Sequence, residues 1–160
     1  MGFFKKLWNS FQSARDDFAT ERAVEGIKLQ IRVIKDLRSV EQPVDSLLLY
    51  HYPVGYLGSF VNYFVSSTRS SPMEGYFLEN RIYGEALGGA LAQRLRERQQ
   101  GLLFHQNEAK ELVLSRHRDE LPKMLLLGAR DGFEDAQRFG ASKRQKPRKL
   151  ADHFVRKFEE

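Results

Sequence analysis

The chain has 160 residues and no cysteine, and 41% of its residues are hydrophobic and 29% are charged. This length and composition predict one domain, or two at most, and exclude a collagen-like repeat and a disordered polyelectrolyte. The absence of thiols excludes disulfide bonds, cysteine-ligated metal centres and thiol catalysis, and it suits a reducing, cytoplasmic compartment.

The net charge of +5 arises in one short tract. Residues 1–80 carry nine basic and nine acidic side chains, whereas residues 81–160 carry seventeen and twelve. The segment 141–149 contains five cations and no acid, namely Lys143, Arg144, Lys146, Arg148 and Lys149. Proteins that follow a duplex usually spread their basic groups over a face. The tract is therefore predicted to be a solvated linker, and its functional alternative is an anion-binding segment.

Two amphipathic helices are predicted at the start of the chain. At about 100° per residue, the apolar side chains of residues 3–18 fall in one arc of roughly 140°. Those members are Phe3, Phe4, Leu7, Trp8, Phe11, Ala14 and Phe18. Thr20 is a plausible N-cap for a second helix that reaches Arg38.

Residues 47–68 are ambiguous between helix and strand. Their Tyr, Phe and Val content favours a strand, with a hairpin that turns near Pro53–Gly55. The spacing of Val54, Leu57 and Val61 favours a helix, which we take as the prediction. The stretch Ser46–Thr68 lacks charge over 23 residues, but its polar residues indicate a buried core segment and no transmembrane span.

The clearest local signal is a helix start. Ser71, Pro72 and Glu74 form a capping-box pattern that opens a helix towards Gln100, with Gly101 as its cap. Gly84, Gly88 and Gly89 interrupt this helix. They predict either close approach of another helix or a break in the chain.

Shorter helices are predicted for the remaining chain. Asn107 caps one helix, Pro122 restarts another, and Asp131–Gly132 is read as a turn before a short helix over 133–139. The basic tract then leads to a terminal helix over 150–158. The fold class is thus all-α, a compact bundle or orthogonal array of about six to eight helices. The predicted parts are an N-terminal amphipathic helix (1–20), a helical core domain (21–140) and a basic linker with C-terminal helix (141–160).

Motifs for catalysis or metal binding are weak. His105 with Glu108, and His117 with Glu120, would lie roughly 18 Å apart on one helix and could not share an ion. Neither a nucleophile elbow nor a phosphate-binding glycine loop is present in the sequence, so we predict no metal and no cofactor and favour a non-catalytic protein, with an enzyme as the alternative. One candidate pocket for a small ligand or a reaction combines His51 with Tyr50, Tyr52 and Tyr56.

The sequence therefore favours a non-catalytic adaptor or assembly component. Its predicted partner-binding residues are the large apolar side chains of the first helix: Phe3, Phe4, Leu7, Trp8, Phe11 and Phe18. The partner is a protein, a second copy of the chain or a membrane surface, which allows a location peripheral to a membrane. The alternatives are an accessory nucleic-acid-binding protein that uses the basic tract and a ligand-binding or enzyme module around His51.

Overall fold

The structure, a computed structural model, describes residues 2–37, 43–68, 71–107 and 123–159. These ranges form seven helices: α1 (Gly2–Asp36), α2 (Val44–Leu47), α3 (His51–Ser67), α4 (Pro72–Leu87), α5 (Gly89–Asn107), α6 (Lys123–Ala141) and α7 (Lys149–Glu159). The described residues contain no strand, so the all-α prediction is confirmed and the hairpin alternative for 47–68 is wrong. The helix predicted after Asn107 and the restart at Pro122 lie outside the described residues.

Helix α3 forms the centre of the bundle. It contacts α1, α4, α5 and α6, and its side chains are buried around most of its circumference. Burial on all sides explains why its composition resembles that of a strand: aromatic and β-branched side chains suit a fully enclosed element of either kind.

Helix α1 is continuous, although the sequence predicts a break at Thr20. The apolar residues of its two halves lie on different faces. The second half packs Ala19, Ala23, Ile27 and Ile34 against the bundle, and Thr20 is buried beside them. At about 100° per residue, this face lies roughly 130° from that of Leu7, Trp8, Phe11 and Phe18. The apolar pattern therefore turns around the helix axis while the helix itself continues through the boundary drawn at residue 20.

The backbones of α3 and α6 are in direct contact. A methyl group added at Gly128 would lie 2.1 Å from the carbonyl oxygen of Tyr52, and one at Gly132 would lie 2.2 Å from that of Tyr56. Across the same contact, a methyl group at Gly55 would lie 2.1 Å from the carbonyl oxygen of Leu125. The turn predicted at Asp131–Gly132 is therefore wrong, since Gly132 lies inside α6 and allows close helix packing.

The glycines between α4 and α5 have the opposite role. No atom lies within 4 Å of a methyl group placed at Gly84, Gly88 or Gly89, so they do not mediate close packing. Gly88 has a φ of 82° and separates α4 from α5, so of the two alternatives the structure shows the break, and the helix predicted to reach Gln100 is divided there. The capping box is also confirmed, because Ser71 Oγ accepts a hydrogen bond from Glu74 N and Ser71 N donates to Glu74 Oε2. The stop predicted at Gly101 is wrong, since α5 continues to Asn107.

A buried hydrogen-bond network holds the N-terminus of α7. Asp135 Oδ2 accepts from Tyr56 Oη at 2.7 Å and from the backbone N–H groups of Arg148 and Lys149 at 2.9 and 2.8 Å. Gln30 donates to Tyr56 Oη and accepts from the N–H of Leu150. Three N–H groups at the start of α7 are thus satisfied by α6 and α1, which fixes the last helix against the bundle.

We expect the substitution Gly132→Ala to destabilise the protein by more than about 2 kcal/mol, since the new methyl group meets backbone that cannot move aside. Gly84→Ala is the matched control in an open helix interior and should raise the free energy of unfolding by about 0.5–1 kcal/mol. Urea unfolding of both variants measures the difference. Equal effects of the two substitutions would contradict the proposed backbone contact.

Candidate functional site

Four large apolar side chains near the start of α1 are exposed. Leu7 is 44% exposed, Trp8 69%, Phe11 63% and Phe18 61%. We call these four residues the α1 stripe; the side chains of Phe3 and Phe4 lie outside the described residues. The described parts of the chain leave each of these side chains at least 44% exposed, so the apolar face that the sequence predicts is accessible to a partner.

The first part of α1 projects from the bundle. Every side chain from Lys5 to Phe11 is exposed, and the first hydrogen bond to another described element is that of Gln12 Nε2 to Thr68 O, at 3.0 Å. Arg15 then donates to Ser67 O at 2.7 Å. The projecting residues 2–11 form a helical arm roughly 15 Å long.

The acidic residues of this region lie beside α4. Asp17 pairs with Arg81 of α4 at 2.9 Å. Asp16 is half-buried, and partial burial, together with the nearby Glu74 carboxylate, raises its pKa. Both carboxylates therefore belong to the junction of α1 with α4, and the arm itself carries only the cations Lys5 and Lys6.

Helix α4 carries a second exposed apolar group that the sequence analysis missed. Met73 and Phe77 are exposed and lie one turn apart, with Arg81 one turn further along the same face. Because Arg81 reaches Asp17, this face of α4 borders α1. The i, i+4 spacing of Met73 and Phe77 was a visible signal, but it is equally typical of a buried helix face.

The predicted anion-binding residues divide into two groups. Lys149 is bound by Asp131 and Glu134, and Arg148 pairs with Asp152 at 3.2 Å. Lys143, Arg144 and Lys146 are exposed in the connection between α6 and α7, as expected for a solvated linker.

This connection borders a groove of about 680 Å³. We call it the basic groove; its basic lining residues are Arg138, Arg144, Lys146, Arg148, Lys149 and Arg156. Arg138 of α6 and Arg156 of α7 are absent from the sequence prediction, because only the fold brings these helices beside the tract. Asp135 and Asp152 also line the groove, but the helix cap and Arg148 already occupy these carboxylates.

The basic tract begins beside α1. The buried guanidinium of Arg22 stacks on the Phe139 ring at 3.9 Å and donates a hydrogen bond to Phe139 O, so it holds the end of α6 against α1. Arg22 lies one turn after Phe18, the last residue of the α1 stripe. Lys143 and Arg144 follow the end of α6 directly, which places the start of the tract near the end of the stripe.

The predicted pocket around His51 is divided in the structure. His51 Nε2 lies 3.3 Å from the Arg98 guanidinium on α5, whereas Tyr50 lies beneath the ammonium of Lys157. Tyr56 is fully buried in the α7 cap. Only Tyr52 lines a described cavity, one of about 270 Å³ between α3, α6 and α7.

This small cavity contains an interacting set of titratable groups. Tyr52 Oη donates to Asp131 Oδ2 at 2.9 Å, and its ring stacks on His153 with centroids 3.9 Å apart. Burial raises the pKa of Tyr52, and the hydrogen bond to Asp131 adds to this. Burial also opposes ionisation of Asp131, but hydrogen bonds from Tyr52 and Arg130 together with the Lys149 ammonium outweigh it and lower its pKa. The carboxylate is therefore ionised and the phenol neutral, as suits a structural hydrogen bond.

A larger cleft of about 420 Å³ lies between α3, α5 and α6. Gly55 and Gly58 line the cleft on α3, and Leu125 and Leu126 supply an apolar wall. Glu79 is the titratable group among its described lining residues, and it pairs with Arg96. A single paired carboxylate does not form an acid–base set, so this cleft shows no arrangement typical of catalysis.

The stability of the α3–α7 contact should depend on pH through His153. Burial and the cations Lys157 and Arg156 lower its pKa from the ordinary value of 6.5. The unfolded chain therefore binds more protons just below that pH, and the free energy of unfolding should fall as the pH drops from about 7.5 to about 5.5. His153→Phe keeps the stacked ring and should reduce this slope in urea unfolding. The pKa values of Asp131 and Glu134 are lowered, so these two groups titrate below this pH window and do not contribute to the slope. If His153→Phe left the slope of the unfolding free energy against pH unchanged, the assignment to His153 would be contradicted.

Metal sites, membrane spans and relatives complete the description. In the described ranges, no group of three or more His, Asp or Glu side chains is placed to hold a metal ion; the motifs with Glu108, His117 and Glu120 fall outside them. No helix in the part of the chain described here combines the length and apolarity needed to cross a membrane.

Comparison of the chain with family models, curated proteins and solved structures found no match.

Proposed function

We propose that this protein is a non-catalytic adaptor or assembly component that docks through the α1 stripe. The supporting observation is the exposure of Leu7, Trp8, Phe11 and Phe18 on a helix whose second half is fixed in the bundle. Large apolar side chains that project in a row favour an interface, since covering each one stabilises a complex by about 1.5–3 kcal/mol.

The rigid presentation of the stripe supports a docking role. The helix is continuous from the arm into the buried face, and Gln12, Arg15 and Asp17 attach it to the neighbouring elements. A partner therefore meets side chains on a preformed helix and does not have to pay the full entropy of ordering a flexible segment. The exposed cations of the basic tract would add salt-sensitive attraction to an anionic partner.

We expect Phe11→Ser combined with Leu7→Ser to change the free energy of unfolding by less than about 0.5 kcal/mol, because neither side chain packs in the bundle. The single tryptophan of the chain, Trp8, should be quenched by acrylamide in dilute wild-type protein as a water-exposed indole is. The matched control is Phe77→Ser, which removes an aromatic ring that is 64% exposed on α4. A protected indole, or a large loss of stability in the double variant, would assign the stripe to the core of its own chain and reject the proposal.

The second candidate function is attachment to a nucleic acid through the basic groove. It is favoured by the position of Arg138, Arg144 and Lys146, whose side chains border one groove and have no carboxylate partner among the described residues. Backbone contacts of this kind would be independent of base sequence and sensitive to salt.

Neutralising Arg138, Arg144 and Lys146 to glutamine should weaken binding to duplex DNA and reduce the salt dependence by about one unit of slope per lost phosphate contact. Lys149 is left intact because it is bound to Asp131 and Glu134. The control neutralises Lys28, Arg32 and Lys35 on the exposed side of α1, which gives the same change of charge. Fluorescence anisotropy over a salt series measures the affinity. Equal losses in both variants would indicate net charge alone and reject the groove as the site.

A further inference from the structure

We infer that the surface on which the α1 stripe docks is an anionic lipid bilayer, with the arm of α1 lying in the plane of the headgroups. The inference rests on the proposed function, since it names the occupant of the same stripe. It follows from three features of the described residues: the distribution of charge along α1, the direction of the stripe, and the position of the basic tract.

The charge of the arm is of one sign. Residues 2–11 contain Lys5 and Lys6 and no acidic residue. From the sequence alone, Asp16 and Asp17 reduce the cationic character of this helix. The structure assigns both carboxylates to the junction with α4, where Asp17 is paired with Arg81. The exposed arm therefore combines an apolar face with lysines on its other side, which is the charge pattern of helices that bind anionic membrane surfaces.

The direction of the stripe suits a flat partner. The stripe lies roughly 130° around the helix from the side chains that pack into the bundle. Every side chain from Lys5 to Phe11 is exposed, so a planar surface can reach Leu7, Trp8 and Phe11 on the arm. A bilayer accepts apolar side chains to a depth of about 5–10 Å without a complementary groove. Trp8 is also well suited to this boundary, because its indole has an apolar ring and a polar N–H group.

The basic tract supplies a second attachment. Arg22 joins the end of α6 to α1 one turn after Phe18, and the exposed Lys143 and Arg144 follow at once. Stable attachment to a membrane surface commonly needs an apolar insertion and a cationic patch together. The stripe and the tract provide these two elements, and the contact of Arg22 with Phe139 connects the helices that carry them.

The test uses the full chain and the emission of Trp8, the single tryptophan. Vesicles of phosphatidylcholine mixed with phosphatidylglycerol should shift the emission to shorter wavelength and carry the protein down on centrifugation. Vesicles of phosphatidylcholine alone should bind at least about tenfold more weakly, because they lack the anionic charge. Phe11→Ser should weaken binding about tenfold or more, and Phe133→Ser, which removes a ring that is 48% exposed on α6, should bind as the wild type does.

Charge variants test the electrostatic part separately. Lys5→Gln with Lys6→Gln, and Arg144→Gln with Lys146→Gln, should each weaken binding to the anionic vesicles, and raised salt should do the same to the wild type. Lys28→Gln with Arg32→Gln, on the exposed side of the second half of α1, is the control and should have a smaller effect.

Two results would overturn the inference. The first is failure of the folded wild-type protein to bind the anionic vesicles at low salt. The second is binding that Phe11→Ser leaves unchanged. A shift of the Trp8 emission that depends on protein concentration without lipid, and is lost in Phe11→Ser, would assign the stripe to a second copy of the chain. That result rejects the bilayer but keeps the proposed docking function, whereas an indole protected from quenching in dilute protein rejects both.

Discussion

The contact between the backbones of α3 and α6 determines how the other described helices are arranged. Gly55, Gly128 and Gly132 remove the side chains that would separate the two axes. The close approach brings Tyr56 Oη within 2.7 Å of Asp135, and this carboxylate then accepts the first N–H groups of α7. Packing of small residues thus creates the geometry for a buried polar network, and the network orients the last helix.

The same network connects the core to the surface that we propose as functional. Gln30 of α1 binds both Tyr56 and the N–H of Leu150, so the second half of α1 is held by α3 and α7 together. Since α1 is one continuous helix, fixing its second half also fixes the direction in which Leu7, Trp8 and Phe11 point. The apolar stripe and the basic tract owe their relative positions to contacts deep in the bundle.

Local signals in the sequence predicted local structure well. The capping box at Ser71 and the break near Gly88 depend on residues within a few positions, and both are present. The break predicted at Thr20 failed because a change in the direction of the apolar face resembles the start of a new helix. The turn at Gly132 failed because the carbonyl oxygen of Tyr56, which explains the glycine, belongs to a distant helix. The candidate sites also divide into local and tertiary features. The exposed linker cations were predicted from the sequence, but Arg138 and Arg156 join them only through tertiary structure. The separation of His51 from Tyr52 depends on which helices surround α3.

The hydrogen bond from Leu150 N to Gln30 joins residues that are 120 positions apart in the chain. During synthesis the N-terminal part of a protein leaves the ribosome first, so α1 emerges long before its partner in α7 exists. The contact of α1 with α7 can form only after residue 150 has been made, whereas its contacts with α3 and α4 can form earlier, and the long loop that has to close slows this last step. Until then, the part of α1 that α7 covers is exposed together with the stripe, and only the stripe is still exposed when folding is complete.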